Sequence, residues 1–292
     1  MTIFSAAGSS RPKVGRAIFK EAYKTLQKDP KIMTIPVIAV GVDAVFAVIA
    51  GISWLLLIPF MDINNATNAV NIVIGVIMAV LFGITHVVSQ AAVMFAANER
   101  FEGRAPTIGG SFGAAGKKFG PLALFGLLEA TFGLLLRYIA DNVKVLGDVV
   151  RFIAGLTWAI ATYFAIPFIL FGGQNPIAAI GLSGKLIKAK WGDVMRGNVV
   201  ASAVIILAWL VAFGGLVGGI FLTMSNCNGP TCNINPSGLA LIGFSILVML
   251  LTALISSTIM SYVKIALYRF ATGKPLPDFD SQLLADSFRV RA

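Results

Sequence analysis

Three ionisable residues interrupt stretches that are otherwise almost wholly apolar: Asp43, His86 and Glu129. Two carboxylates and an imidazole are residue types tuned to exchange protons. The set therefore suits an ion or proton path, with Asp43 and Glu129 exchanging protons and His86 relaying between them. A neutral, hydrogen-bonded cluster that fixes helix register is the preferred reading, because no further carboxylate extends the trio into a chain. Both roles require partners, because a charged group at mid-bilayer costs on the order of 2.5 kcal/mol or more. Counted from the helix ends expected near residues 32, 97 and 120, the three lie about 9 to 11 residues deep. At 1.5 Å per residue that is one shared level, roughly 14–17 Å in.

Little else in the chain could do chemistry. One His and two Cys are too few for a His/Cys metal centre, and the single His excludes an HExxH site. Gly184–Lys185 does not close a P-loop, since Ala179 stands for the first Gly and Leu186 for the Ser/Thr. Gly181–Leu182–Ser183–Gly184 lacks the GxSxG spacing of a serine nucleophile. The expectation is a chain that is not an enzyme and that carries no metal and no cofactor.

The elements that must position these residues follow from composition. Of 292 residues, 57% are hydrophobic and 12% charged, where a soluble domain carries about 25% charged residues. Crossing the hydrocarbon takes about 20 apolar residues. Six stretches qualify: 32–60, 70–97, 120–140, 151–172, 198–224 and 238–270. This gives an all-α membrane protein with a basic arm at 1–31, a six-span bundle over 32–272 and a tail at 273–292. No cleavable signal peptide is expected, because the first apolar run starts after Lys31 and is far too long for one.

Lys and Arg set the orientation. Of the 23, all but Arg137, Lys144 and Arg151 fall on one side of this topology, which makes it the cytoplasmic side and puts both termini there. The net charge of +10 thus points to a membrane surface, anionic lipid in particular, and not to nucleic acid. Cys227 and Cys232 fall in the uncharged outer loop Ser225–Ser237, where a disulfide persists. The expected place is the plasma membrane.

The spans group as three hairpins, each preceded by a cytoplasmic elbow. In the arm, Val14, Ile18, Ala22 and Leu26 recur every four residues, while Arg16, Lys20, Lys24 and Lys28 take another face. That is a basic amphipathic helix, expected apolar side down in the lipid interface. Pro106 leads through Ser111 to Lys117–Lys118–Phe119–Gly120, and Pro176 leads through Ser183 to Lys190–Trp191–Gly192. Lys, aromatic and Gly at a membrane interface form elbows of one kind.

At these residues the chain resembles a known family. Pro167 through Gly192, with Trp158 before it, is similar to the fourth-span-to-elbow signature of a prokaryotic six-span integral membrane family of unknown function. The Lys28–Asp29–Pro30 to Pro36 stretch and the Lys117–Gly120 elbow fit the same layout. The loop Ser225–Ser237 with its Cys pair departs from it. The resemblance implies a six-span fold and assigns no activity.

Packing signals complete the picture. Gly214, Gly215, Gly218 and Gly219 form two overlapping GxxxG patterns, expected to let another helix of the same chain approach. Ser256, Ser257, Thr258 and Ser261 offer hydroxyls for bonds across helices. Arg137, Asp141, Lys144, Asp148 and Arg151 alternate in sign at helical spacing, as on a solvated outer helix. Two functions follow from different features, and the first is the preferred expectation, with the second as its alternative. The basic elbows favour a membrane-organising protein that binds lipid and a membrane-protein partner. The Asp43, His86 and Glu129 set, with Gly and Pro near Pro36, Gly41, Pro59 and Pro167, favours a small channel or transporter with broken helices.

Overall fold

The computed structural model describes residues 20, 22–57, 66–143, 147–190, 203–224, 227–228, 231–232 and 235–274. Trp191, Pro59, Lys144, the arm before residue 20 and the tail after 274 lie outside the described residues, as do the side chains of Lys190, Cys227 and Cys232.

A helical segment at 22–27 and a 3₁₀ turn, Pro30–Met33, precede the spans. Helices α1 (Thr34–Leu57) and α2 (Ala66–Phe101) follow, then the short α3 (Ile108–Lys117) and α4 (Phe119–Asn142). Next come α5 (Gly147–Thr162), α6 (Ala165–Leu170), α7 (Pro176–Lys190), α8 (Ala203–Met224) and α9 (Pro236–Ala271). Between α8 and α9, Cys227–Asn228 pairs antiparallel with Thr231–Cys232. Six helical stretches are long and apolar enough to cross a membrane: Pro30–Leu56, Ala69–Phe101, Phe119–Asn142, Gly147–Leu170, Ile206–Met224 and Pro236–Ala271.

The elbows start on side-chain caps. Thr107 Oγ1 accepts the Gly110 N–H at 3.1 Å to open α3, and Asn175 Oδ1 accepts the Ala178 N–H at 2.8 Å to open α7. Each cap satisfies an amide that the first turn leaves without an intrahelical partner.

The spans do not pack as a closed ring. Extensive contacts run in series from α5 to α4, α2, α9 and α8, with α1 against α2. Burial is concentrated where the end of α2, the last turns of α9 and the short helices meet. Leu26, Ile32, Met94, Phe101, Ala115, Phe125, Phe164, Ile187, Tyr262 and Tyr268 all belong to one core there, while α1, α5, α8 and the first half of α9 expose large apolar side chains such as Leu56, Phe152, Phe221 and Leu247.

That core also takes in part of each elbow. Lys20, Lys24 and Lys28 are exposed and Ala22 and Leu26 buried, as an amphipathic helix requires, but the apolar face packs into protein. Ser111, Ala115 and Ser183 are buried as well. The C-terminal half of α2 is the reason: it runs on past the start of α4 and presents Val87, Ala91, Met94, Ala97 and Phe101 for the elbows to cover. The rims keep exposed basic and apolar residues: Tyr23 and Lys24 in the arm, Lys117 and Phe119 in the second elbow, and Ile177, Lys185 and Lys188 in the third.

Candidate functional site

The site is built on the crossing of α2 and α4. A Cβ on Gly126 would lie 2.8 Å from Ile84 Cα, and one on Gly83 would lie 2.9 Å from the Gly126 carbonyl oxygen. The two backbones therefore touch. Gly83 stands 18 residues before the end of α2 and Gly126 seven after the start of α4, a difference of about 16 Å at 1.5 Å per residue. The ten residues of α3 span about 15 Å and pack along α2, returning the chain so that α4 runs antiparallel to α2.

His86 follows Gly83 by three residues, and Glu129 follows Gly126 by three. Three residues turn a helix through about 300°, which swings both side chains to the same side of an antiparallel seam. They are staggered, His86 towards the buried end and Glu129 away from it, by about 9 Å along the axis. A single shared level is therefore not what the crossing gives. His86 stays open to its surroundings, and the Gln90 side-chain amide meets its Nε2 at 2.5 Å.

Asp43 stands apart. Its carboxyl interacts with Thr85, which points about 100° round α2 from His86. Its Oδ1 is buried with no hydrogen-bond partner among the described residues. The expected trio thus divides into His86 with Glu129 on one side of α2 and Asp43 on another.

A third ionisable residue outside that trio, Lys264, lies inside the last span. Counting charges places Lys264 with the inner-side cations, yet α9 carries it seven residues inside its end. Its charge acts on both Glu129 and His86, and its Nζ lies 5.2 Å from the centroid of the Tyr163 ring, the distance of a cation–π contact. A shared Leu-Phe-Gly frame was the available signal for the other two: Leu81–Phe82–Gly83 leads to His86 and Leu124–Phe125–Gly126 to Glu129.

Tyr163 marks a break in the fourth span. The helix stops at Thr162 and resumes at Ala165, and Pro167 has no N–H to return to the Tyr163 carbonyl. The Phe164 N–H donates instead to Ser183 Oγ of α7, at 2.9 Å and buried. Pro36 and Gly41 cause no such break, since both lie within the continuous α1.

A second charged network closes the buried end. The Arg269 side chain is 3% exposed, and its Nη1 donates to Asn98 Oδ1 at 2.7 Å and to Glu102 Oε1 at 3.0 Å. Arg104 bonds Glu99 at 2.7 and 2.5 Å and also pairs with Glu102, while Asp29 and Arg100 are 3.2 Å apart. Burial raises the Glu102 pKa, but hydrogen bonds from Arg269, Arg104 and Asn98 outweigh it and hold the carboxyl below the usual range.

The remaining candidates fall elsewhere. Gly215 and Gly219 face α9, where a Cβ on Gly219 would meet Ile242 N and Gly238 O at 3.0 Å, whereas Gly214 meets nothing within 4 Å. Thr258 and Ser261 donate back to the Leu254 and Ser257 carbonyls of their own helix, at 2.8 and 2.9 Å, and not across to another. Arg137 and Asp141 form an exposed pair at 3.9 Å on the end of α4. Cys227 stands opposite Cys232 in register, and no disulfide is found among the described residues.

Six spanning helices with ionisable side chains inside them mark a multi-pass membrane protein. The chain belongs to a family of unknown function, DUF6159, which it matches over residues 72–275. That stretch holds His86, Glu129, Lys264 and the helix break, and leaves out Asp43. No curated protein and no solved structure matches the chain.

Proposed function

We propose that this protein exchanges protons within the membrane through Glu129, His86 and Lys264, as a small channel or transporter and not as an enzyme. The observation that carries the proposal is the Gly83–Gly126 crossing, which turns His86 and Glu129 to one side of the α2–α4 seam, together with Lys264, held inside α9 with its Nζ 5.2 Å from the Tyr163 ring at the broken fourth span. Ionisable groups placed inside spans are costly and are usually kept for a pathway. The membrane-organising alternative needs basic elbows free to lie on lipid, and burial of Leu26, Ala115 and Ser183 in the core takes much of that surface away.

The same reading places the plasma membrane around the six spans and both termini in the cytoplasm. It is supported by the gathering of Arg100, Arg104, Lys117 and Arg269 at the buried end. Anionic inner-leaflet lipid would face the exposed Lys20, Lys24 and Lys28. Outside, Cys227 and Cys232 would join as a disulfide.

The test is proton flux into liposomes holding the full chain, compared with Lys264→Met and Glu129→Gln. The expected result is flux above that of protein-free liposomes, lost in both variants. Flux equal to protein-free liposomes, or unchanged in both variants, overturns the proposal.

A further inference from the structure

Asp43 lies on the covered stripe of the first span. From Val37 to Leu56 every α1 residue is exposed except Ala39, Asp43, Phe46 and Ala50. Their spacing of four, three and four residues makes one helix face, and α2 is the helix packed extensively on α1. Two side-chain ties fix the register of the pair. Asp29, just before α1, lies 3.2 Å from Arg100, and Trp54 Nε1 donates to Asn71 Oδ1 at 2.7 Å. The helices are therefore antiparallel, and stepping from either tie sets Asp43 opposite the α2 stretch 82–86. Thr85 and Ser89 follow Asn71 by 14 and 18 residues, about four and five whole turns, so both share its α1-facing side. Ser89 is 6% exposed. One carboxylate and two hydroxyls thus meet on the α1–α2 seam, as the interaction of Asp43 with Thr85 requires.

The carboxylate has no fixed countercharge there. Neither Lys nor Arg occurs from Met33 to Glu99, and His86 points about 100° round α2 from Thr85. A charged carboxylate inside a span must be neutralised. A proton does so incompletely. Asp43 Oδ1 is buried with no hydrogen-bond partner among the described residues. A proton on it finds no acceptor, and a proton on the other oxygen leaves Oδ1 without a donor. A metal ion satisfies Oδ1 directly and draws on the lone pairs of both hydroxyls. Carboxylate and hydroxyl oxygens suit a hard ion. One carboxylate balances one positive charge, whereas a divalent ion leaves net charge in a low-dielectric site.

We infer that Asp43, Thr85 and Ser89 form a binding site for one alkali-metal cation on the α1–α2 seam. The site is separate from His86, Glu129 and Lys264, and it goes beyond the proton-exchange reading without depending on it.

The experiment measures binding of sodium-22 to the full chain in detergent, with choline chloride holding the ionic strength constant. The expected result is saturable binding of one sodium per chain, displaced by unlabelled sodium and not by choline, and a melting temperature that rises with sodium. Asp43→Asn should abolish binding. Thr85→Val and Ser89→Ala should each weaken it about tenfold or more, as for loss of one polar contact to a charge. Glu129→Gln should bind sodium as the wild type does. Absence of saturable binding, equal binding by wild type and Asp43→Asn, or a melting temperature that responds to pH and not to sodium overturns the inference. If Asp43→Asn does not fold, Thr85→Val and Ser89→Ala decide, and wild-type affinity in both overturns it. Loss of sodium binding in Glu129→Gln overturns the separateness of the site. Sodium binding without proton flux sinks the proton-exchange reading alone.

Discussion

Gly126 of α4 rests directly on the backbone of α2 at Gly83, with no side chain of either residue between the helices. Glu129 and His86 are placed by this contact, each three residues beyond its glycine. A methyl group on Gly126 must push Ile84 away, so Gly126→Ala should lower stability in detergent by about 1–3 kcal/mol, the cost of overpacking a tight site. Gly133→Ala on the same helix, where a Cβ meets nothing within 4 Å, should leave the melting temperature unchanged. Equal melting of both variants would show that the crossing is looser than described.

The helix break at Tyr163–Phe164 depends on one hydroxyl. Ser183→Ala leaves the buried Phe164 N–H without its acceptor, which should cost about 1–3 kcal/mol. Ser183→Thr, which keeps the hydroxyl, should recover part of that loss in the same thermal assay.

Arg269 ties α9 to the end of α2. Arg269→Met should destabilise by about 3 kcal/mol, the low end for a broken buried pair, because Arg104 and Asn98 still serve Glu102. The network also sets a pH dependence. Since the Glu102 pKa is depressed in the folded protein, its contribution is complete above the ordinary glutamate value of about 4.3 and is lost as pH falls through the lower folded value. Glu102→Gln should be less stable at pH 7 and should show a shallower decline on acidification. A parallel decline in the two proteins would remove Glu102 from the acid transition.

On α8 the two GxxxG patterns should separate. Gly219→Ala meets α9 backbone and should destabilise, whereas Gly214→Ala meets open space and should be neutral or gain helix propensity. Thermal melts of the two single variants decide this directly.

Directly opposed residues in an antiparallel pair have Cα atoms about 4.5–5.5 Å apart, within the range of about 4.4–6.8 Å that a disulfide needs. The register of Cys227 and Cys232 therefore allows the bridge. Non-reducing mass spectrometry should find the chain lighter by two hydrogens, and an impermeant thiol reagent should label it only after reduction and only from outside. Labelling from the cytoplasmic side of reduced vesicles would reverse the proposed orientation.

The six spans were legible because mean hydropathy over a bilayer's width needs only composition, and each expected span overlaps an observed helix. His86 and Glu129 were legible for the same reason, as polar exceptions in apolar runs. Lys264 was not: it lies so near the end of a long last span that counting charges puts it outside the bilayer, and only the packing of α9 on the Tyr163 break reveals it. Asp43 misled because depth along a helix says nothing of the direction a side chain points. Gly83 and Gly126 were passed over since single glycines carry no pattern, whereas Gly214 to Gly219 do.

The core draws Leu26, from ahead of the first span, and Tyr268, from the last helix, into one cluster. A growing chain inserts its early spans long before the last helix exists, so the arm and both elbows wait with their apolar faces uncovered. Such long-range closure is slow and exposes sticky surface while it is pending. Truncation within the last helix should therefore harm the entire protein and not merely its tail, leaving inserted helices that never lock together.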